Sequence, residues 1–303
     1  MNVFNKLVVT VLPAVPKSIV RIFANRYIAG DKLSDAVRVV KELNSQGILA
    51  TLDVLGESTT TKDEALIARD AILELFPTIS KEKLDSNVSI KLTQLGLKLD
   101  KSFCLENVRL ILSKAAEYQN FVRIDMEDSP VTDATLWVYR EIRKEFKNAG
   151  IVLQAYLHRT ENDTVQLINE GLGHFRLCKG IYIEPASIAF KDHDSVNQNF
   201  VKVMKKIAEA KAYIGIASHD DFVINSAYRM IDEMKLKKTE YEFQMLLGVR
   251  ENLRSRIVRD GHRMRVYVPF GEHWYNYSIR RFKENPQVAG YVLKALFRRN
   301  SIK

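Results

Sequence analysis

The feature that most limits the folds open to this chain is an alternation. Short β-branched or aromatic runs take turns with segments of helical period, and glycine, proline or polar clusters punctuate them. Ser34–Gln46 reads as a helix capped by Ser34 and broken by Gly47, and Ile48–Leu55 as the strand that follows. The pattern then repeats. Thr61–Leu75 leads to the strand Val88–Lys91, and Phe103–Tyr118 leads to Phe121–Met126. Thr132–Lys147, closed by Gly150, leads to Ile151–Ala155, and Glu161–Asn169 to His174–Lys179. Val196–Glu209 leads to Tyr213–Ala217, Phe222–Met234 to Tyr241–Met245, and Gly248–Arg259 to Met264–Val268. Eight such pairs predict an α/β fold, a single (β/α)8 TIM-like barrel, and 303 residues suffice for one. No stretch reads as a linker. The expected division is an N-terminal helical segment, residues 1–46, packing on a barrel of residues 47–303.

What ends each strand points to function. Asp53 and Glu57 follow the first, Lys91 ends the second, and Asp125 with Met126 ends the third. Gln154 ends the fourth, Arg176 and Lys179 the fifth, and Ser218 and His219 the sixth. Gln244 ends the seventh and Tyr267 the eighth. Buried parallel strands are nearly continuous apolar runs, so a polar group at every end needs a reason. In barrels those ends meet at one mouth, where active sites lie. The pattern predicts an enzyme.

Several chemistries are excluded. GxGxxG, GxxxxGK[ST] and GxSxG motifs are all missing. His193 between Asp192 and Asp194 reads as a polar loop without further ligands at metal-binding spacing, so no metal is expected. The net charge of +9 is spread over helices and is densest at Lys235–Lys238 and Arg250–Arg265. That suits an anionic cofactor or an anionic membrane surface, and no motif supports nucleic acid. Cys104 and Cys178, in apolar contexts, fit the reduced core of a cytoplasmic protein. Pro13 and Pro16, with Lys17, Arg21 and Arg26 beyond, argue against a secretion signal at Leu7–Val15. No apolar run reaches the roughly eighteen residues of a membrane span.

Two strand-end residues leave alternatives open. Lys91 supports either a Schiff-base role or an ion pair with Asp125, and His219 a ligand, a base or a cofactor contact. Met264–Phe297 is more specific. From His273 its period is helical, which puts Tyr277, Arg281 and Glu284 on one face with Arg280 beside them. Two guanidiniums and a carboxylate one turn on suit a small zwitterion: the arginines fork its carboxylate and Glu284 faces its amine. A solvated basic helix is the other reading of such a pair.

The stretch Tyr277-Ser-Ile-Arg280-Arg281-Phe-Lys-Glu284-Asn285 resembles YxxRRxxEN, a signature of proline dehydrogenases. RYIAGDKLSDA, LATLDVLGES, SIKLTQLG, RIDMEDS, GIVLQAYLHR, FRLCKGIYIEP, IASHDD, EFQMLLGVR and RVYVPFGEHWY are similar to that family in the same order, from about Arg26 to Phe297. The resemblance is to the monofunctional bacterial type. It implies a distorted (β/α)8 barrel holding FAD non-covalently, oxidation of L-proline to 1-pyrroline-5-carboxylate, and electron transfer to a membrane quinone. A cytoplasmic enzyme peripherally associated with the inner membrane face is the matching expectation. The short stretch after Phe297 suggests that no aldehyde dehydrogenase domain follows, although Asn285 is the form common in bifunctional relatives.

By the same resemblance, Asp125, Arg176 and Tyr267 take catalytic positions. Lys91, Arg280, Arg281, Glu284 and Tyr277 surround the substrate, with Tyr182 and Leu246 nearby. Met126, Gln154, Arg176, Lys179, Gly180, Ile181, Ser218 and His219 hold the flavin; Ser218 replaces a usual threonine and keeps its hydroxyl. Glu57 and Arg280 form an ion-pair gate over bound proline, or else a plain surface pair. A flavin barrel of the methylenetetrahydrofolate reductase kind, a Schiff-base aldolase or lyase using Lys91, and a non-enzymatic basic membrane-surface protein are the alternatives.

Overall fold

Strand–helix units of this kind bury a parallel sheet between helices, and in the computed structural model they do so as a closed ring. The structure describes residues 17–56, 58–275 and 277–279. Helices α1 (Lys17–Ala24) and α2 (Leu33–Ser45) precede β1 (Leu49–Val54). Then come α3 (Lys62–Leu73), α4 (Leu75–Lys81), β2 (Ser86–Ile90), α5 (Lys101–Glu117), β3 (Val122–Ile124) and α6 (Ser129–Arg143). They are followed by β4 (Ala149–Gln154), α7 (Thr160–Asn169), β5 (His174–Cys178), α8 (His193–Glu209) and β6 (Tyr213–Ala217). Last are α9 (Asp221–Met234), β7 (Tyr241–Leu246), α10 (Glu251–Arg259) and β8 (Met264–Phe270). Neighbouring strands are all parallel, and β8 returns to β1 in register from Leu49↔Arg265 to Val54↔Phe270. This is the (β/α)8 barrel expected from the alternation.

Burial follows from the architecture. All six residues of β4 are buried, as expected for a strand covered on both faces. In α5, Cys104, Val108, Ile111, Leu112 and Ala115 recur at helical spacing and form the stripe that faces the barrel. Helix α2 lies across the β8–β1 seam through Ala36, Val40 and Leu43. Just before it, Ala29 N–H donates to the Pro269 carbonyl at 2.9 Å, and Gly271 N–H donates to the Gly30 carbonyl at 3.0 Å. No helix among the described residues is long and apolar enough to cross a membrane.

Some elements differ from the sequence reading, each for a physical reason. Ser34 is not a cap: α2 starts after Lys32, whose N–H donates to the Asp35 carboxylate at 3.1 Å. The expected helix Thr61–Leu75 divides into α3 and α4, because Pro77 has no N–H to offer the Leu73 carbonyl. Gly150 does not close a helix. It lies within β4, where a Cβ would collide with the Arg123 guanidinium. Gly248 precedes α10 in a turn at φ +73°, packed against Arg26. Strand β8 continues through Pro269, since β7 pairs only as far as Tyr267 and the Pro269 carbonyl turns to Ala29. The Asp192–Asp194 triplet is no loop: Asp192 caps α8 and His193 begins it.

Candidate active site

The strand ends do converge. A cavity of about 520 Å³ opens at the C-terminal mouth, within the ~300–1,000 Å³ typical of small-molecule sites. Asp125 and Met126 enter it just past β3, because that strand stops at Ile124. Lys91 follows β2, Gln154 ends β4, and Arg176 lies within β5 with Lys179, Gly180 and Ile181 beyond it. Ser218 and His219 follow β6, Tyr267 comes from β8, and Tyr277 from the chain after it. Tyr182 and Leu246 line the cavity as well. Glu57, Arg280, Arg281 and Glu284, expected as the gate and the substrate clamp, lie outside the described residues.

A charged cluster forms one wall. Lys91 Nζ lies 2.7 Å from Asp53 Oδ1 and 3.5 Å from Asp125 Oδ2. The expected Lys91–Asp125 pair is therefore the longer of two, and Asp53 is the partner the spacing missed. Asp53 does not follow β1 but sits inside it, 1% exposed, where burial raises its carboxyl above the usual range despite Lys91. Burial alone would lower the Lys91 ammonium; the two carboxylates outweigh it and hold the amine protonated well above its ordinary value. An amine held this way is no Schiff-base nucleophile.

Asp125 is fully engaged. Arg176 Nη1 donates to Oδ1 at 2.8 Å, and the Tyr267 hydroxyl donates to Oδ2 at 2.9 Å. Tyr267 in turn accepts from Lys91 at 3.1 Å. Its phenol is pushed well above the ordinary value by burial and by Asp125, so it stays a neutral donor. Arg176 also donates to Ser89 Oγ at 3.1 Å and, through Nε, to Gln244 Oε1 at 2.5 Å.

The opposite wall is looser. Gln154 Nε2 donates to the Glu127 carbonyl at 2.7 Å, which fixes the amide at the end of β4. Lys179 Nζ donates to Asp220 Oδ2 at 2.8 Å, and His193 Nε2 reaches the same oxygen at 2.8 Å. His219 Nε2 accepts from Leu246 N–H at 3.0 Å, which puts the neutral ring's proton on Nδ1. Cys178, expected in the core, lines the cavity instead; burial pushes its thiol up to about 11, so it stays protonated. Met126, Val152, Ala217 and Leu246 supply apolar surface between these groups.

The family model described as "Proline dehydrogenase" matches residues 36–293. The chain belongs to the proline dehydrogenase family. "Proline dehydrogenase 1" of Bacillus subtilis (strain 168) is 37% identical over 279 residues, 92% of each chain. "Proline dehydrogenase" of Deinococcus radiodurans is 34% identical, covering 91% of this chain and 90% of that one. Among solved structures, proline utilization A (PutA) from Bdellovibrio bacteriovorus superposes with a TM-score of 0.81 at 28% identity. It covers 87% of this chain, which spans only 32% of that longer one. As a proline dehydrogenase this protein is an oxidoreductase acting on proline, so the aldolase and the non-enzymatic alternatives fall away. In this site, sequence reasoning placed Asp53 at a strand end without its partner Lys91, and it missed Ser89, Asp220 and His193. Asp53 and Ser89 are buried polar residues on barrel strands, which was the available signal.

Proposed function

We propose that this protein oxidises L-proline to 1-pyrroline-5-carboxylate with non-covalent FAD and passes the electrons to a quinone at the inner face of the membrane. The observation that carries the reading is the pairing, at one mouth, of an apolar floor with the fixed cations Lys91, Arg176 and Lys179. A flat ring system suits Met126, Val152, Ala217 and Leu246, and anionic groups suit Arg176 and Lys179. Gln154, Ser218 and His219 add directional hydrogen-bonding groups along the same wall. The donor set therefore fits FAD, which when bound supplies a hydride acceptor for the carbon next to the proline nitrogen.

The chain's own residues orient and tune. Arg280 and Arg281 are the proposed carboxylate clamp, with Glu284 beside the amine and Tyr277 against the ring. Arg176 places a fixed positive charge where negative charge builds up, and its Asp125, Ser89 and Gln244 contacts keep it from turning away. Lys91 and Tyr267, both locked in their protonated forms, shape the pocket's polarity and take no proton from the amine. Glu57 and Arg280 are the proposed gate that closes over substrate.

An absorbance spectrum tests this reading. The purified protein should be yellow, release its flavin on denaturation, and bleach on anaerobic addition of L-proline. A colourless protein that turns over proline, or a flavin band unmoved by proline, would overturn it.

A further inference from the structure

A dense hydrogen-bonded array lies on β5, β6 and β7, where Arg176 and Gln244 line the cavity. Arg176, Gly215 and Glu242 stand side by side in the strand register. Gln244, two residues above Glu242, shares its inward face. Its amide crosses β6: Oε1 accepts from Arg176 Nε at 2.5 Å, and Nε2 donates to Glu242 Oε1 at 2.6 Å. A Cβ at position 215 would collide with Gln244 Nε2, so the glycine is what leaves the crossing open. Glu242 is 1% exposed and is itself gripped by Arg265, Nε to Oε1 at 2.6 Å and Nη2 to Oε2 at 3.1 Å.

We propose that Glu242 and Gln244 form a positioning relay that fixes the orientation of the Arg176 guanidinium, with Gly215 as the gap that admits it. The logic is one of donors and acceptors. A guanidinium only donates, and an ionised carboxylate only accepts. Burial pushes Glu242 up, but Arg265 outweighs it and holds the carboxyl below the ordinary value, so it remains an acceptor. Between a pure donor and a pure acceptor, the glutamine amide has one satisfying orientation, oxygen to Arg176 and nitrogen to Glu242. With Nε fixed by Gln244 and Nη1 by Asp125 and Ser89, the plane of the guanidinium has no freedom left. Glu242 touches neither cavity nor ligand and acts only through Gln244.

The inference rests on the reading of Arg176 as the fixed positive charge at the reacting centre, and the experiment separates the two. Gln244→Met, Gly215→Ala, Gln244→Glu and Arg176→Met are compared as holoenzymes. The readouts are kcat and KM for proline, the pH profile, and the midpoint potential of the bound flavin. Losing a hydrogen bond to a charged group corresponds to ~10–100-fold in rate. Gln244→Met and Gly215→Ala should each lower kcat by that factor, more than they raise KM, and shift the flavin potential to more negative values. Gln244→Glu should gain activity as pH falls, because two carboxylates in contact share a proton and the protonated acid restores the donor to Glu242. The other groups facing this point are Arg263 and Arg265, Tyr213 on β6, Arg176 on β5, Arg123 on β3 and Asp125 just past it.

An impaired Arg176→Met beside Gln244→Met and Gly215→Ala enzymes with wild-type kcat and potential would overturn the relay alone. A wild-type-like Arg176→Met would instead overturn the role given to Arg176, and the relay with it. Should Gln244→Met fail to fold, Gly215→Ala and the pH profile of Gln244→Glu decide the matter: a wild-type kcat in the first with an unchanged profile in the second rejects it.

Discussion

Asp53, on β1, is the nearest carboxylate to Lys91 among the described residues: 2.7 Å separates Oδ1 from Nζ, against 3.5 Å to Asp125. Its carboxylate is all but sealed from solvent. Breaking a buried pair by removing one partner costs about 3–5 kcal/mol, so Asp53→Ala should destabilise by that order. Adding Lys91→Met should return much of the loss, since no uncompensated ammonium then remains. Urea unfolding of the single and double variants checks this, and equal losses in both would reject the ion pair as the cause.

Acid sensitivity should trace in part to His174. Burial, with the Arg123 charge second, lowers its imidazole from 6.5 to about 2. Arg123 Nη2 lies 3.0 Å from Nδ1, which accepts as long as the ring is neutral. The unfolded chain takes up a proton near pH 6.5 that the folded chain refuses until far lower pH. Stability contributed here is therefore intact above 6.5 and falls as pH drops toward 2, by at most about 1.4 kcal/mol per pH unit. His174→Gln keeps an acceptor for Arg123 without that proton, and its stability should fall less steeply across the window. Parallel stability–pH curves for the two proteins would reject the assignment.

Asp220 serves two structures at once. It caps α9, accepting from Phe222 N–H at 2.9 Å and Val223 N–H at 3.3 Å, and it anchors Lys179. Burial opposes its charge, yet Lys179 and the helix amides outweigh that and hold the carboxyl well below its ordinary value. Asp220→Ala should lose about 1 kcal/mol through the cap alone. Asp220→Asn keeps a capping oxygen and loses only the ion pair, so its smaller deficit should shrink further in high salt. Thermal melts at two salt concentrations distinguish the contributions; a salt-independent deficit in Asp220→Asn would contradict the ion-pair component.

The proposed clamp has its own test. Arg281→Met should raise KM for proline while leaving flavin bound. Truncating one side of a desolvated charge contact costs on the order of 2–5 kcal/mol, or tens- to thousands-fold in kcat/KM. Wild-type proline affinity in that variant would place the carboxylate site elsewhere.

What could be read from the sequence was whatever breaks a local pattern. Lys91, Gln154 and Arg176 interrupt or end apolar runs, and that was enough to place them at the mouth. Their partners were another matter. Whether Lys91 meets Asp53 or Asp125 depends on the stagger between β1, β2 and β3, which spacing within one run does not encode. Gln244 reaches Arg176 only because the strand between them carries glycine at position 215, a relation among three strands. His193 looked like part of a loop because three polar residues in a row carry no periodic signal, although Asp192 is an ordinary helix cap. The two proline surprises have one source: Pro77 and Pro269 are judged by the hydrogen bond each would have made, and only the fold says whether that bond was needed.

The seam between β8 and β1 bears on how the chain is born. Leu49 and its register partner Arg265 are 216 positions apart (265 − 49), so the ribosome delivers β1 long before the strand that completes it. At ~5–20 residues per second the wait is roughly 10–40 s. Throughout it, one side of β1 presents a row of unanswered backbone donors and acceptors, the kind of edge that recruits foreign strands. Residues 26–30 do not shorten that exposure, because their own partners Gly248, Pro269 and Gly271 also come from the far end of the chain. Newly made copies are thus exposed to misassembly until β8 closes the ring, and crowded expression should tax this barrel through the edges that β8 has yet to cover.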